Sequence, residues 1–341
     1  MTLARYIIQK TSMEKFFDAL IQQRKAIYAP KRKNDKTNFE TVNHFSEVCE
    51  DYIQTTQSAK SVIFPRTEKL FDYNKGKEGT TLKDFNPDKI PETVIWGVRP
   101  CDAAGFIPLT AIFNWDSKDK IYNTRLEKTT VIAFSCHTAD ESCFCTSVAG
   151  NPGSTNGADI LLTSLGENDS FLVEIITEKG QKALTTAPKL FNEDPGIEKE
   201  KYLASLPKQF NHEEIKDKLQ KYFESDLWRS QSLRCLGCGA CAYVCPTCAC
   251  FDIQDEVHGN KGSRIRCWDS CGLSLFTLHT SGHNPRNEQS QRWRQRLLHK
   301  FSYMPSRLSV YGCTGCGRCS RACPVDMNIL EHLLSIQEIE K

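Results

Sequence analysis

Long apolar runs are missing from this sequence of 341 residues. No stretch of about 18 consecutive apolar residues occurs, so no membrane-spanning helix is expected and no membrane insertion. The N-terminus, MTLARYIIQKTSMEKFF, has neither the apolar core nor the small-residue cleavage site of a secretory signal. Charge of one sign is not in excess: the formal net charge is +2, too little for a nucleic-acid protein driven by phosphate contacts. A G-x-G-x-x-G turn after a strand is also absent, so the chain itself is not expected to bind a dinucleotide. With 39% apolar and 25% charged residues, the chain is an ordinary folded one with room for two domains.

Cysteine is what the sequence has in quantity: 17 residues. In a chain expected to be cytoplasmic, these point to metal ligands rather than disulfides. Eight form two copies of one pattern. The first is Cys235-Leu-Gly-Cys238-Gly-Ala-Cys241-Ala-Tyr-Val-Cys245-Pro246, and the second is Cys313-Thr-Gly-Cys316-Gly-Arg-Cys319-Ser-Arg-Ala-Cys323-Pro324. Both read C-x2-C-x2-C-x3-C-P, the bacterial ferredoxin run. There three close thiolates hold one 4Fe–4S cube and the fourth ligates the other. The spacing assigns cluster one to Cys235, Cys238, Cys241 and Cys323, and cluster two to Cys313, Cys316, Cys319 and Cys245. Gly237, Gly239, Gly315 and Gly317 let the backbone turn tightly and bring N–H groups to sulfur. A zinc ribbon would use two separate C-x2-C knuckles, which this pattern does not resemble. Oxygen-sensitive clusters suit an anaerobic setting.

The expected fold is α+β. Residues 1–205 read as an α/β domain and residues 206–341 as an α-helical ferredoxin-like dicluster domain. A helix over 13–23 buries Phe16, Phe17, Leu20 and Ile21, with Thr11 and Glu14 as a capping box. Residues 29–42 read as a solvated loop, 61–66 as a short strand and 72–91 as a loop. The runs 93–98, 130–135, 159–163 and 171–177 read as buried strands, and 196–230 as a connecting helical segment. The long insert 246–312 between the motifs reads as helical. Within it Trp293, Leu297 and Phe301 face the core at i, i+4, i+8, while Arg292, Arg296 and Lys300 form a parallel basic stripe. That stripe is either a solvated face or a positive surface that stabilises added electrons or meets an acidic partner.

Nine cysteines remain. Cys101 and Cys136 follow the strands 93–98 and 130–135, at carboxyl ends where open α/β sheets bind ligands. With Cys143 and Cys145 they make a candidate third site, for a cube or a zinc ion, with Asp102 a weaker ligand candidate. The opposing reading is a set of structural thiols. Cys248, Cys250, Cys267 and Cys271 make a candidate fourth site, with Asp269 able to replace Cys267. One or two further iron–sulfur clusters are thus open. Cys49 reads as a small buried residue in a helix.

The segments CLGCGACAYVCPTCACFD, RCWDSC, HNPR, LLHKFSY and YGCTGCGRCSRACPVDM resemble the 4Fe–4S dicluster subunits of soluble multi-subunit reductases. Among these are the beta subunit of cytosolic nickel–iron (sulf)hydrogenases and the corresponding iron–sulfur subunit of anaerobic sulfite reductase. IFPRTEKLF, GVRPCDAAGF and CHTADESCFCTS are similar to stretches of the same subunits, so the resemblance covers nearly the whole chain. Cys267 departs from the expected pattern. The resemblance implies an iron–sulfur electron-transfer subunit with no catalytic residue of its own. It would sit in a hetero-oligomer between a flavin/NAD(P)H-binding subunit and a catalytic redox subunit. The alternative is a reductase in its own right, with a catalytic metal or thiol site in the N-terminal domain.

Overall fold

Four short runs rich in β-branched and aromatic residues, buried on both faces, make the middle of the fold. The computed structural model describes residues 2–23, 25–166 and 169–339. Its strands, in chain order, are β1 (Ala4–Gln9), β2 (Ala26–Lys33), β3 (Lys36–Val42), β4 (Thr67–Gly76), β5 (Gly79–Asp84) and β6 (Thr93–Val98). They continue with β7 (Thr129–Phe134), β8 (Ile160–Ser164), β9 (Ser170–Ile175), β10 (Phe191–Glu193), β11 (Phe251–His258) and β12 (Lys261–Trp268). Eight of them form one sheet in the order β10-β1-β9-β8-β7-β6-β2-β3. The central β2, β6, β7 and β8 run parallel, and the flanking pairs are antiparallel. A continuous apolar run is what such a two-sided burial requires, and each expected buried strand lies within two residues of its observed place.

One face of this sheet is covered by the helix Met13–Gln22, whose Phe16 and Phe17 rings pack 5.8 and 5.3 Å from Trp96 of β6. The expected helix is there, but its capping box is not: a 3-10 turn, Lys10–Ser12, leads in, and Ser12 makes no side-chain cap. The other face is covered by the helices Phe106–Phe113 and Lys120–Glu127 and by Trp268 of β12.

The second sheet overturns two expectations. It has the order β11-β12-β4-β5, so two hairpins more than 150 residues apart in sequence pair through β12 and β4. Residues 72–91 are therefore mostly strand rather than loop, and the insert 246–312 is not helical throughout. Residues 29–42 are likewise the β2–β3 hairpin. Short polar strands with exposed faces, as in β5 and β11, carry no apolar periodicity. Residues 61–66 are not a strand: Lys60–Ile63 is a single helical turn. Cys49 lies half-buried in a loop after the 3-10 turn Phe45–Glu47, not in a helix.

The regions 1–205 and 206–341 share more than this sheet. Arg318 donates to both oxygens of Asp102, at 2.5 and 2.6 Å, and to the carbonyl and hydroxyl of Thr55, with both charged side chains essentially out of solvent. Arg266 of β12 joins Glu68 of β4 to Asp119 and lies over the Phe113 ring at 5.0 Å. Breaking one partner of such a buried pair costs roughly 3–5 kcal/mol, so these contacts hold the halves in register.

Candidate iron–sulfur sites

The two cysteine motifs fold alike because their glycines do. Gly237 and Gly239 have φ of +66° and +74°, and Gly315 and Gly317 have +65° and +70°, a left-handed backbone that side chains rarely adopt. Each pair wraps a tight turn and opens a short helix, Ala240–Tyr243 or Arg318–Arg321, next to the third cysteine. The turn of motif two has no room for a side chain. A Cβ on Gly315 would lie 2.5 Å from the Phe144 carbonyl carbon and the Cys145 nitrogen.

The motif thiols fall in two overlapping groups, each drawing on both motifs. Cys235, Cys238 and Cys241 line one cavity of about 40 Å³ together with Cys319 and Cys323 of the second motif. Gln289 donates to the Cys235 sulfur at 3.0 Å, and the Met327 N–H to that of Cys323 at 3.2 Å. Arg292 donates twice to Gln289 Oε1, turning the amide nitrogen toward Cys235. In the other group, buried Cys245 of motif one stands within electrostatic reach of Cys313, Cys316 and Cys319. Its sulfur meets the Thr247 hydroxyl at 3.1 Å and the Lys300 ammonium at 3.3 Å.

The electrostatics favour anionic sulfur at Cys245. A hydrogen bond from Cys248 holds its thiol well below the usual range, and Lys300 and Arg296 reinforce this against burial. The Cys248 thiol is pushed up in return. Burial pushes Cys313 up to about 12, so an empty site would keep that thiol protonated. Burial also acts to lower Lys300, but the charges of Cys245 and Cys248 outweigh it and raise its pKa.

This corrects the reading of the basic stripe. Arg292, Arg296 and Lys300 are 9, 4 and 4% exposed, so they form neither a solvated face nor a surface. Arg296 donates to the Cys241 carbonyl at 2.9 Å and the Cys248 sulfur at 3.5 Å. Trp293, Leu297 and Phe301 are buried as expected, so this helical stretch is covered on two sides. His299 adds no charge at neutral pH, since burial pushes it to about 4.

The remaining candidates divide. Cys101, Cys136, Cys143 and Cys145 come together at the carboxyl ends of β6 and β7. Asp102 does not join them as a ligand, because Arg318 takes both its oxygens. Cys248, Cys250 and Cys271 also approach one another, Cys250 against Cys271 and Cys248 against Cys245. Cys267 sits on β12 opposite Asp252 and Thr67, outside these contacts. Asp269 accepts from the Ser270 N–H at 2.6 Å. Among the described residues no three His, Cys, Asp or Glu side chains converge on a single metal ion, at the motif thiols and at the third site alike.

Residues around the sulfurs that sequence reasoning missed include Gln54, which donates to Cys101 at 2.9 Å, and Lys60, which donates to the Cys248 carbonyl and lies 3.8 Å over the Trp268 ring. Both come from the opposite half of the chain and carried no local signal. Gln289 did carry one: it precedes Trp293 by one helical turn.

Comparison with known proteins agrees with this geometry. Residues 234–327 match the family model of the 4Fe-4S dicluster domain. The sulfhydrogenase 2 subunit beta of Pyrococcus furiosus is 30% identical over 323 residues, covering 92% of each chain. No solved structure matches. Among the described residues no helix is long and apolar enough to cross a membrane. The eight motif thiols, with glycine turns and buried cations around them, fit the two 4Fe–4S clusters that the domain implies. The chain belongs to the sulfhydrogenase beta-subunit family and is an iron–sulfur electron-transfer subunit.

Proposed function

We propose that this chain relays single electrons between a flavin/NAD(P)H-binding subunit and a catalytic subunit of hydrogenase or sulfite-reductase type, within a soluble hetero-oligomer. When bound, each cube accepts and releases one electron. The chain's residues hold the cubes, keep them close and set their charge environment. On this reading Cys235, Cys238, Cys241 and Cys323 hold cluster one, and Cys313, Cys316, Cys319 and Cys245 hold cluster two. What supports it best is that each group draws on both motifs, with Cys323 beside Cys235, Cys238 and Cys241, and Cys245 beside Cys313, Cys316 and Cys319. Cluster one has an outlet: Cys238 is exposed, and Leu233, Leu236, Leu275 and Leu278 are exposed large apolar side chains on the neighbouring segments.

The test is Cys316→Ser in the anaerobically purified complex. About four irons per chain and the partner-coupled activity should be lost together. A variant with full iron and full coupled activity would refute the ligand assignment. One feature favours a reductase acting alone: a cavity of about 180 Å³ beside the carboxyl ends of β6, β7 and β8, lined by Trp96, Phe134, Lys10, Arg99 and His137. Turnover of a substrate by the purified chain without partners would select that alternative.

A further inference from the structure

Four thiols outside the dicluster domain meet at the carboxyl edge of the large sheet. Cys101 is in the first turn of the helix Pro100–Ala104, which starts just beyond β6. Cys136 lies two residues past β7, and Cys143 and Cys145 lie in the loop that follows. Cys136 is the centre of the group, within electrostatic reach of each of the other three.

Burial pushes all four thiols up, as it does Cys313, yet polar donors reach the group. Gln54 donates to the Cys101 sulfur at 2.9 Å and Arg321 to the Cys143 sulfur at 3.5 Å. Arg99, 5% exposed, lies near Cys136 with its guanidinium tied to the carbonyls of Tyr52, Ile53 and Ser135. Amide and guanidinium donors at buried sulfur stabilise negative charge there. A cavity of about 170 Å³ opens beside Cys101 and Cys145, and Cys313 and Thr314 of motif two form part of its wall. The Thr314 hydroxyl is buried and has no hydrogen-bond partner.

The group also presses on motif two. The Phe144 N–H donates to the Gly315 carbonyl at 2.9 Å, and a Cβ on Gly317 would lie 2.4 Å from the Ser142 carbonyl oxygen. Cys101 is within electrostatic reach of Cys316. The buried Asp102–Arg318 pair locks this contact.

We propose that Cys101, Cys136, Cys143 and Cys145 hold a third iron–sulfur centre, outside the dicluster domain and packed against its second motif. Four thiolates are the donor set shared by 2Fe–2S and 4Fe–4S centres, and the iron count distinguishes the two. The site is independent of the relay reading, since its ligands are not those of the two motif clusters. If both stand, the third centre is a neighbour of cluster two.

The experiment measures iron and acid-labile sulfide per chain, with low-temperature electron paramagnetic resonance of the reduced sample. It compares the anaerobically purified complex with Cys101→Ala, Cys136→Ala and Cys145→Ala, taking Cys49→Ala as control. A variant should lose about four irons for a cube, or about two for a 2Fe–2S centre, and keep the resonances of the dicluster domain. The control should lose none. If every variant either keeps all its iron or loses all of it, the proposal is overturned. Cys316→Ser in the same series separates the two readings: its loss of iron, without any such loss in the Cys136 variant, leaves the relay standing and removes the third centre.

Discussion

On the proposed ligand assignment, Lys300→Met removes a buried positive charge from beside cluster two without removing a ligand. Lys300 is 4% exposed, and its ammonium donates to the Gly312 carbonyl at 2.6 Å, the Thr247 hydroxyl at 2.9 Å and the Cys245 sulfur at 3.3 Å. Reduction adds one negative charge to a cube whose ligand this ammonium touches. With an effective dielectric of about 20 and about 5 Å between the charges, the attraction is roughly 3 kcal/mol. For one electron that corresponds to roughly 140 mV, and relaxation around the variant reduces it, so a fall of about 50–150 mV is expected. Direction follows from sign: a cation stabilises the reduced state, so losing it lowers the potential. Mediated redox titration followed by electron paramagnetic resonance reads this directly, with iron content showing that the cluster is intact and Lys300→Arg as the charge-conserving control. A fully loaded Lys300→Met whose potential stays within about 20 mV of wild type, a twofold change in equilibrium constant, would refute the argument.

Gly315→Ala should destabilise the chain by more than about 2 kcal/mol in denaturant melts and deplete the iron of cluster two, because a left-handed φ and a 2.5 Å backbone clash act together. Gly259→Ala, at φ +60° with nothing within 4 Å, should show only the conformational cost of about 1 kcal/mol, and equal effects at the two positions would contradict the packing argument. Acid should weaken the fold through His332, which burial against Trp293 pushes to about 4. Above about pH 6.5 neither state holds the proton. Between about 6.5 and 4 the unfolded chain takes it and the folded chain refuses it, so up to roughly 3 kcal/mol of stability is lost as pH falls through that window. His332→Phe should flatten the decline in melting temperature between pH 7 and 5, leaving the share due to His299; an unchanged slope would remove His332 from the account.

What was readable in the sequence follows the physics of each element. β6 and β7 announce themselves because strands buried on both faces need unbroken apolar residues. The cysteine spacing carries the grouping of the thiols, because the turn between close ligands is local. β5 and β11 were hidden because their side chains face solvent, and half-buried β4 because its partner β12 lies far along the chain. The stripe Arg292, Arg296 and Lys300 was visible as periodicity, but its burial was not. Periodicity marks a face, and only the tertiary packing decides whether that face meets water or sulfur.

That packing has a consequence for how the cluster-binding half is held together. Lys60, Arg296, Lys300 and Arg318 are each 4% exposed or less. Among the described residues only Arg318 of these four is paired with a carboxylate, Asp102. The other three face carbonyl oxygens, sulfurs or the Trp268 ring. A buried cation without an anion costs several kcal/mol, so the compensating charge must come from cysteine thiolates. Yet burial pushes the thiols of Cys241, Cys313 and Cys319 upward, which favours the protonated form when no metal is bound. Binding iron deprotonates its thiol ligands and so adds anions to the one that Lys300 and Arg296 already favour at Cys245. Cluster insertion and packing of the helical stretch 289–308 are therefore coupled: the cations that tune the clusters are stable in the interior because the clusters are there.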